Sequence, residues 1–329
     1  MRAQPPSFEF FGQLKIATDG KRITAFPSDK ARALLVYLVT EASASAVPSQ
    51  SLVDKEHSRE GLTTFFWPGY RDESARASLR QVLHHLRRIL GDDKREEERE
   101  HYLQITRQTV GFNTALPYSC DVHRFGQLLA SCNTHTHDRL ERCPVCIAQL
   151  REAVQLYQGD FLAGFSIDDS TAFEEWRRIK QEQLHVQVLN TLKVLTDIAL
   201  TSGDYENARH YAMRQLELEA WNEEAHRQVM QALALSGDRN AALAQYQSCR
   251  QILQAEFGIE PDAKTTALYE AIHSGLLSAS TYPLADNTNQ DHPQPATSQP
   301  LANLHATNLP TLAQPSEETH SSNTAHPTP

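Results

Sequence analysis

Three cysteines and two histidines fall within fifteen residues: Cys132-Asn-Thr-His135-Thr-His137, then Cys143-Pro-Val-Cys146. Thiolate and imidazole are soft and borderline donors, and four of them around one ion make a closed tetrahedral zinc site. The Cys-x2-Cys spacing lets a single turn aim both sulfurs at one ion, and Pro144 stiffens that turn. Cys132 and one histidine complete the set. The expected ligands are Cys132, His137, Cys143 and Cys146, with His135 as the alternative to His137. Four protein ligands leave no position for water, so such a zinc is structural; a metal-dependent hydrolase would need an open position. The competing reading is free thiols and solvated histidines on an exposed loop, with Cys120 and His123 nearby as substitute ligands. Cys249 lies in a helical stretch and reads as small core filler.

A second group of side chains suits nucleic acid rather than metal. Arg76, Arg80 and His84 recur every four residues, and Arg87 and Arg88 extend the charge. Guanidinium forks can reach phosphate oxygens and purine edges. The same segment carries Ala75, Leu79, Val82, Leu83, Leu86 and Ile89 at spacings of three and four, which predicts one amphipathic helix over residues 72–90. Asp72 and Glu73 suit its N-terminus, and Gly91 suits its end. Taken alone, the pattern also fits a solvated surface helix. Its flanks decide the matter.

The helix that carries these cations needs an anchor on either side. After a charged run read as exposed (92–100), residues 102–113 alternate around Leu103, Ile105, Val110 and Phe112 and predict a hairpin with Arg107 near its tip. Upstream, residues 8–24 alternate with Asp19-Gly20 as a turn signal. Ser28 should cap a helix reaching about residue 39, and a short helix is expected at 58–66. Strands, helix, helix, basic helix and hairpin is the order of a winged helix-turn-helix, whose third helix enters the major groove.

Charge is unevenly spread. The 329 residues carry a net charge of −10, yet residues 1–113 hold 17 Lys and Arg against 15 Asp and Glu, while the remainder is at −12. A weakly positive segment with one concentrated basic helix suits specific recognition, and argues against a purely electrostatic, histone-like binder. The longest apolar run, 33–39, is far short of the roughly 20 residues of a membrane span. No charged-then-apolar leader opens the chain, so a cytoplasmic protein with reduced thiols is expected.

Beyond residue 170 the pattern is helical and repeated. Gly203-Asp204 and Gly237-Asp238 lie 34 residues apart, as do Ala208 and Ala242. That period is the length of a tetratricopeptide unit, two antiparallel helices stacked on the next pair. Helices are expected up to about Thr201 and then at 205–219, 222–235, 239–257 and 262–276. A capping box at Thr171-Ala-Phe-Glu174 should open the first of them.

These motifs resemble a known family. Ala241-Ala-Leu-Ala-Gln-Tyr-Gln-Ser-Cys-Arg250, followed by Leu253, Glu256, Gly258, Glu260-Pro261, Thr265 and Leu268-Tyr269, resembles the bacterial transcriptional activator domain. Leu156-Tyr-Gln-Gly-Asp-Phe-Leu-Ala-Gly-Phe165 and Phe173-Glu-Glu-Trp176 look like its opening motifs. Trp67-Pro68 and Ala75-Arg-Ala-Ser-Leu-Arg-Gln-Val-Leu83 are similar to the response-regulator-type winged helix paired with it. Together, over about residues 8–277, they resemble activators of the antibiotic-regulatory-protein type. The resemblance implies binding to direct-repeat sites near promoters, recruitment of RNA polymerase and self-association as a homodimer. The chain departs from that pattern in an extra loop at 43–55, in the Cys/His residues that interrupt the interdomain region, and in having no nucleotidase module after the helices.

The expected architecture is mainly α: a winged-helix DNA-binding domain (1–115), a tetratricopeptide-like domain with a Cys/His insert at 132–146 (116–279), and a disordered tail (280–329). The chain contains neither GxxxxGK[ST] nor HExxH, so neither nucleotide use nor enzymatic activity is expected. A rival reading is a helical-repeat adaptor whose winged helix binds protein. The DNA contacts are expected from Arg76, Arg80, His84, Arg87, Arg88 and Arg107.

Overall fold

The computed structural model describes residues 4–42, 56–92, 100–136 and 139–277. The expected extra loop, His137 and the tail from residue 280 lie outside them. Three short strands come first: β1 (Ser7–Glu9), β2 (Lys15–Thr18) and β3 (Lys21–Arg22). Asp19 and Gly20 join β2 to β3 at φ 51° and 73°, the left-handed pair that fits a two-residue hairpin turn. Helix α1 (Asp29–Ala42) begins where Ser28 Oγ accepts the N–H of Ala31 at 3.2 Å. Strand β4 (His57–Ser58) runs into α2 (Arg59–Phe66), capped by the Ser58 side chain. Helix α3 (Asp72–Leu90) stops on Gly91 at φ 74°. The hairpin β5 (Leu103–Ile105) and β6 (Thr109–Phe112) follows, then β7 (Ser119–Cys120). One sheet has the order β3-β2-β1-β7, with β7 parallel to β1; the other is β4-β6-β5, antiparallel throughout. This is the winged helix-turn-helix that the sequence predicts.

Seven helices complete the described chain: α4 (Asp121–Thr134), α5 (Pro144–Leu156), α6 (Thr171–Thr201), α7 (Tyr205–Leu218), α8 (Glu223–Leu235), α9 (Arg239–Phe257) and α10 (Ala263–His273). The 34-residue period has a physical meaning. Asp204 and Asp238 each cap the helix that follows, accepting from Asn207 N and Ala241 N, and Gly203 and Gly237 turn the chain before them at φ 77° and 94°. Ala208 and Ala242, one turn further on, are wholly buried where neighbouring helices meet. The predicted capping box shifts by one residue. Ser170, not Thr171, is the cap of α6: its hydroxyl accepts from Phe173 N and donates to Phe65 O at 2.6 Å, joining α6 to α2. Thr171 is exposed and has no such partner.

A single apolar core runs from the first strand to Leu195 near the end of α6 and takes in Tyr211 of α7. Phe8, Phe10, Phe66 and Phe112 share it with Phe125, Phe161 and Phe173. Phe10 meets Phe161 edge-on at 6.2 Å, and Phe66 meets Phe173 at 5.8 Å. Polar contacts reinforce the junction. The Asp121 carboxylate accepts the N–H groups of Phe10, Phe11 and Val122, and Trp176 Nε1 donates to Glu41 at 3.0 Å. At Gly12 (φ 80°) the backbone N–H reaches the carbonyls of Gly159 and Asp160, and a Cβ on Gly159 would sit 3.3 Å from Gly12 Cα. A smaller cluster around Val229, Met230, Tyr246 and Ile272 holds α7 to α10.

His123 on α4 is buried in the first core, 2.7 Å from the Tyr118 hydroxyl. Burial, above all, pushes its pKa down from 6.5 to about 4. Between those values the unfolded chain takes up a proton that the folded one refuses. The neutral imidazole's stability is therefore complete above pH 6.5 and lost as pH falls toward 4. Chemical denaturation at pH 7 and pH 5 should show a loss of about 2 kcal/mol that His123→Gln does not share. The comparison with the variant matters because burial raises the pKa of Asp121 and Asp197, which act with the opposite sign.

Candidate nucleic-acid interface and Cys/His cluster

Helix α3 divides cleanly into two faces. Ala75, Leu79, Val82, Leu83, Leu86 and Leu90 are buried, with Ile89 packed at their margin. Arg76, Arg80, His84 and Arg88 are exposed on the far side. Ala77 and Gln81 share that exposure. Arg87 differs from its neighbours. It lies half-buried at the edge of the apolar stripe, and its Nε is shielded with no hydrogen-bond partner. Among the described residues, Arg76, Arg80 and Arg88 make no hydrogen bond or ion pair, whereas Arg124, Arg227 and Arg250 are each paired to a carboxylate.

The wing is held close to this helix by the backbone. Arg107 sits exposed in the β5–β6 turn, without an ion pair among the described residues. Thr106 Oγ1 accepts from Gln108 N and Thr109 N and shapes that turn. Arg59, the first residue of α2, donates its N–H to Gln108 O at 2.8 Å. Asp92 corrects the expectation of an exposed charged run. It is 3% exposed, and its carboxylate accepts Tyr102 N and Leu103 N, both at 3.0 Å. The end of α3 is thereby pinned to the first wing strand. An acidic residue opening a charged run after a helix stop gave no sign of this in the sequence, because solvated aspartates are common there.

The Cys/His residues form a cluster, though not as an interdomain insert. Cys132 is in the last turn of α4, His135 caps that helix, Cys143 is the N-cap of α5 and Cys146 lies in its first turn, with Pro144 at the start. The three cysteines are buried, contrary to a loop of solvated thiols. His135 Nδ1 lies 3.1 Å from Cys146 Sγ and 3.5 Å from Cys143 Sγ. Cys132 Sγ is 3.6 Å from Cys146 O and 3.2 Å from Gln149 Oε1. Among the described residues the histidine brought to these sulfurs is His135. Backbone N–H groups at the start of α5 lower the Cys143 thiol, while burial pushes Cys146 up to about 12. Cys120 and His123 are buried at the opposite end of α4, away from the cluster, and Cys249 is core filler in α9, as expected.

Fold and surface together define a winged-helix protein with a helical, repeat-like body and an unpaired cationic face on its third helix. Residues 120–273 match the family model of the bacterial transcriptional activator domain. That segment is thus identified as a bacterial transcriptional activator domain, the domain of a transcription regulator. A search of curated proteins gives no match. The fold is similar to that of Mycobacterium tuberculosis EmbR, solved in complex with a low-affinity phosphopeptide. That match has a TM-score of 0.60 at 19% identity and covers 83% of this chain and 66% of the other, so this chain spans a little under two thirds of that protein's length. No helix among the described residues is long and apolar enough to cross a membrane.

Proposed function

We propose that this protein is a sequence-specific DNA-binding transcriptional activator. It binds repeated promoter-proximal sites as a homodimer, recruits RNA polymerase, and works in the cytoplasm without catalysis of its own. One observation carries the reading: α3 presents Arg76, Arg80 and Arg88, beside the exposed His84, to solvent without a hydrogen bond or ion pair among the described residues, with its other face locked in the core. Cations left unpaired on a rigid helix are available to phosphates and base edges at little reorganisation cost. On this reading α3 lies in the major groove, Arg107 meets the backbone from the wing, and Arg87 touches phosphate from the groove's edge. The low net charge of the N-terminal part leaves discrimination to base contacts rather than to bulk attraction.

The test is selection of bound duplexes from a random DNA library by the full chain, at two salt concentrations. An enriched motif, above all a direct repeat, is the expected result, and its spacing gives the dimer geometry. Salt-sensitive binding without a motif would replace specific regulation with an architectural role. No binding at either salt would overturn the proposal in favour of a protein-binding adaptor.

A further inference from the structure

We propose that Cys132, His135, Cys143 and Cys146 hold one zinc ion in a closed tetrahedral site that staples the end of α4 to the start of α5. The donor distances fit. With Zn–S of about 2.3 Å and Zn–N of about 2.0–2.1 Å, the S···N edge of a tetrahedron is about 3.6 Å. The two edges from His135 Nδ1 to the sulfurs of Cys143 and Cys146 are 3.5 and 3.1 Å, and the three donor atoms all lie within 4.8 Å of one another. One ion among them needs only small side-chain adjustments. Cys132 supplies the fourth corner. It stands one helical turn before His135 on α4, so both project from one face, and its sulfur already borders Cys146.

The surroundings favour a closed, structural site over an open one. Cys132, Cys143 and Cys146 are 2%, 8% and 0% exposed, so the sulfur side of the site is shut to water and the exposed His135 covers its open side. Gln149 accepts from the Cys132 thiol and donates to Ser131 Oγ; with Cys132 ionised on zinc, the amide turned over would donate its Nε2–H to that sulfur instead. Such outer contacts fix the geometry of metal ligands. The described part of the link from α4 to α5 is the short 3-10 turn Leu140–Arg142, in which Arg142 N–H donates to Arg139 O and Cys143 N–H to Leu140 O. An ion gathering both helix ends would tie them directly to each other. The site borders the shared core at the C-terminal end of α4, and its existence does not depend on DNA binding.

The full chain, purified under reducing conditions and desalted, should contain close to one zinc per molecule. Stripped of metal, kept reduced and titrated with cobalt, it should saturate at one equivalent with the visible bands of a tetrahedral ion and near-ultraviolet charge transfer from three thiolates. Metal removal should lower the melting temperature by roughly 5–10 °C. Cys143→Ser and His135→Ala should lose the ion, while His135→Cys, which restores four ligands, and His137→Ala should keep it. The cobalt titration of unaltered protein keeps the test decisive even where a cysteine variant fails to fold. A folded, reduced chain that takes up no tetrahedral cobalt overturns the site. Loss of metal in His137→Ala but not in His135→Ala overturns the ligand set, and a cobalt spectrum of an ion with bound water overturns its closure.

Discussion

Phe173→Ala is expected to destabilise the protein by about 3–5 kcal/mol, the range for removing a fully buried phenyl ring from a core that cannot collapse around the gap. Phe173 has no exposed surface, and its ring lies 5.8 Å from Phe66, 5.4 Å from Trp176 and 6.2 Å from Phe165. The first of these belongs to α2 of the winged helix, although Phe173 itself begins α6. The loss should therefore register in both parts together. Denaturant unfolding followed by amide exchange would show β1, α2 and the first half of α6 speeding up by the same factor, because one core serves all three. Exchange that accelerates in α6 alone would contradict a shared core. The α7–α10 cluster, built on separate side chains, should respond less.

The second large effect is expected in binding. Arg76→Ala combined with Arg80→Ala should cost about 2–6 kcal/mol on the selected duplex, counting about 1–3 kcal/mol for each lost bidentate base contact. Even the lower end is roughly a 30-fold loss of affinity. Both side chains are exposed and unpaired, so circular dichroism and melting should not change. Arg107→Ala should behave differently, weakening all sequences alike and reducing the salt slope by about one, as a phosphate contact does. Fluorescence anisotropy at two salt concentrations separates the two patterns. Unaltered affinity in the double variant would remove α3 from the groove.

Legibility in the sequence followed the length of each pattern. Helix α3 could be read to the residue because its apolar stripe spans five turns and ends on a glycine. Likewise α9 and the Asp204 and Asp238 caps declared themselves through a repeat of Gly-Asp. Strands of two residues such as β4 and β7 carry no periodicity, so the two-sheet arrangement was invisible. The helical pair α4 and α5 was overlooked for another reason. Its cysteines suggested a loop, yet they sit at helix ends where a short hairpin brings them together. Spacing alone could not choose between His135 and His137. The end of α4 at Thr134 supplies the missing information, placing His135 one turn beyond Cys132. Buried carboxylates were the least legible features of all, since Asp92 and Asp121 look in sequence like any solvated acid, and only the backbone N–H groups they collect distinguish them.

The pairing of β1 with β7, and of Phe10 with Phe161, has a consequence for how the protein comes into being. A bacterial ribosome adds about 5–20 residues per second. The first strand therefore waits roughly ten to thirty seconds before the aromatic rings that cover it have been made. During that interval Phe8, Phe10 and Phe11 ride on the nascent chain with only their hairpin partners for cover, a natural foothold for a chaperone. The edge that receives β7 stays open until Asp121 emerges to take up the N–H groups of Phe10 and Phe11. Translation speed across residues 120–175 would then set how long the newborn chain is vulnerable to sticking to its neighbours.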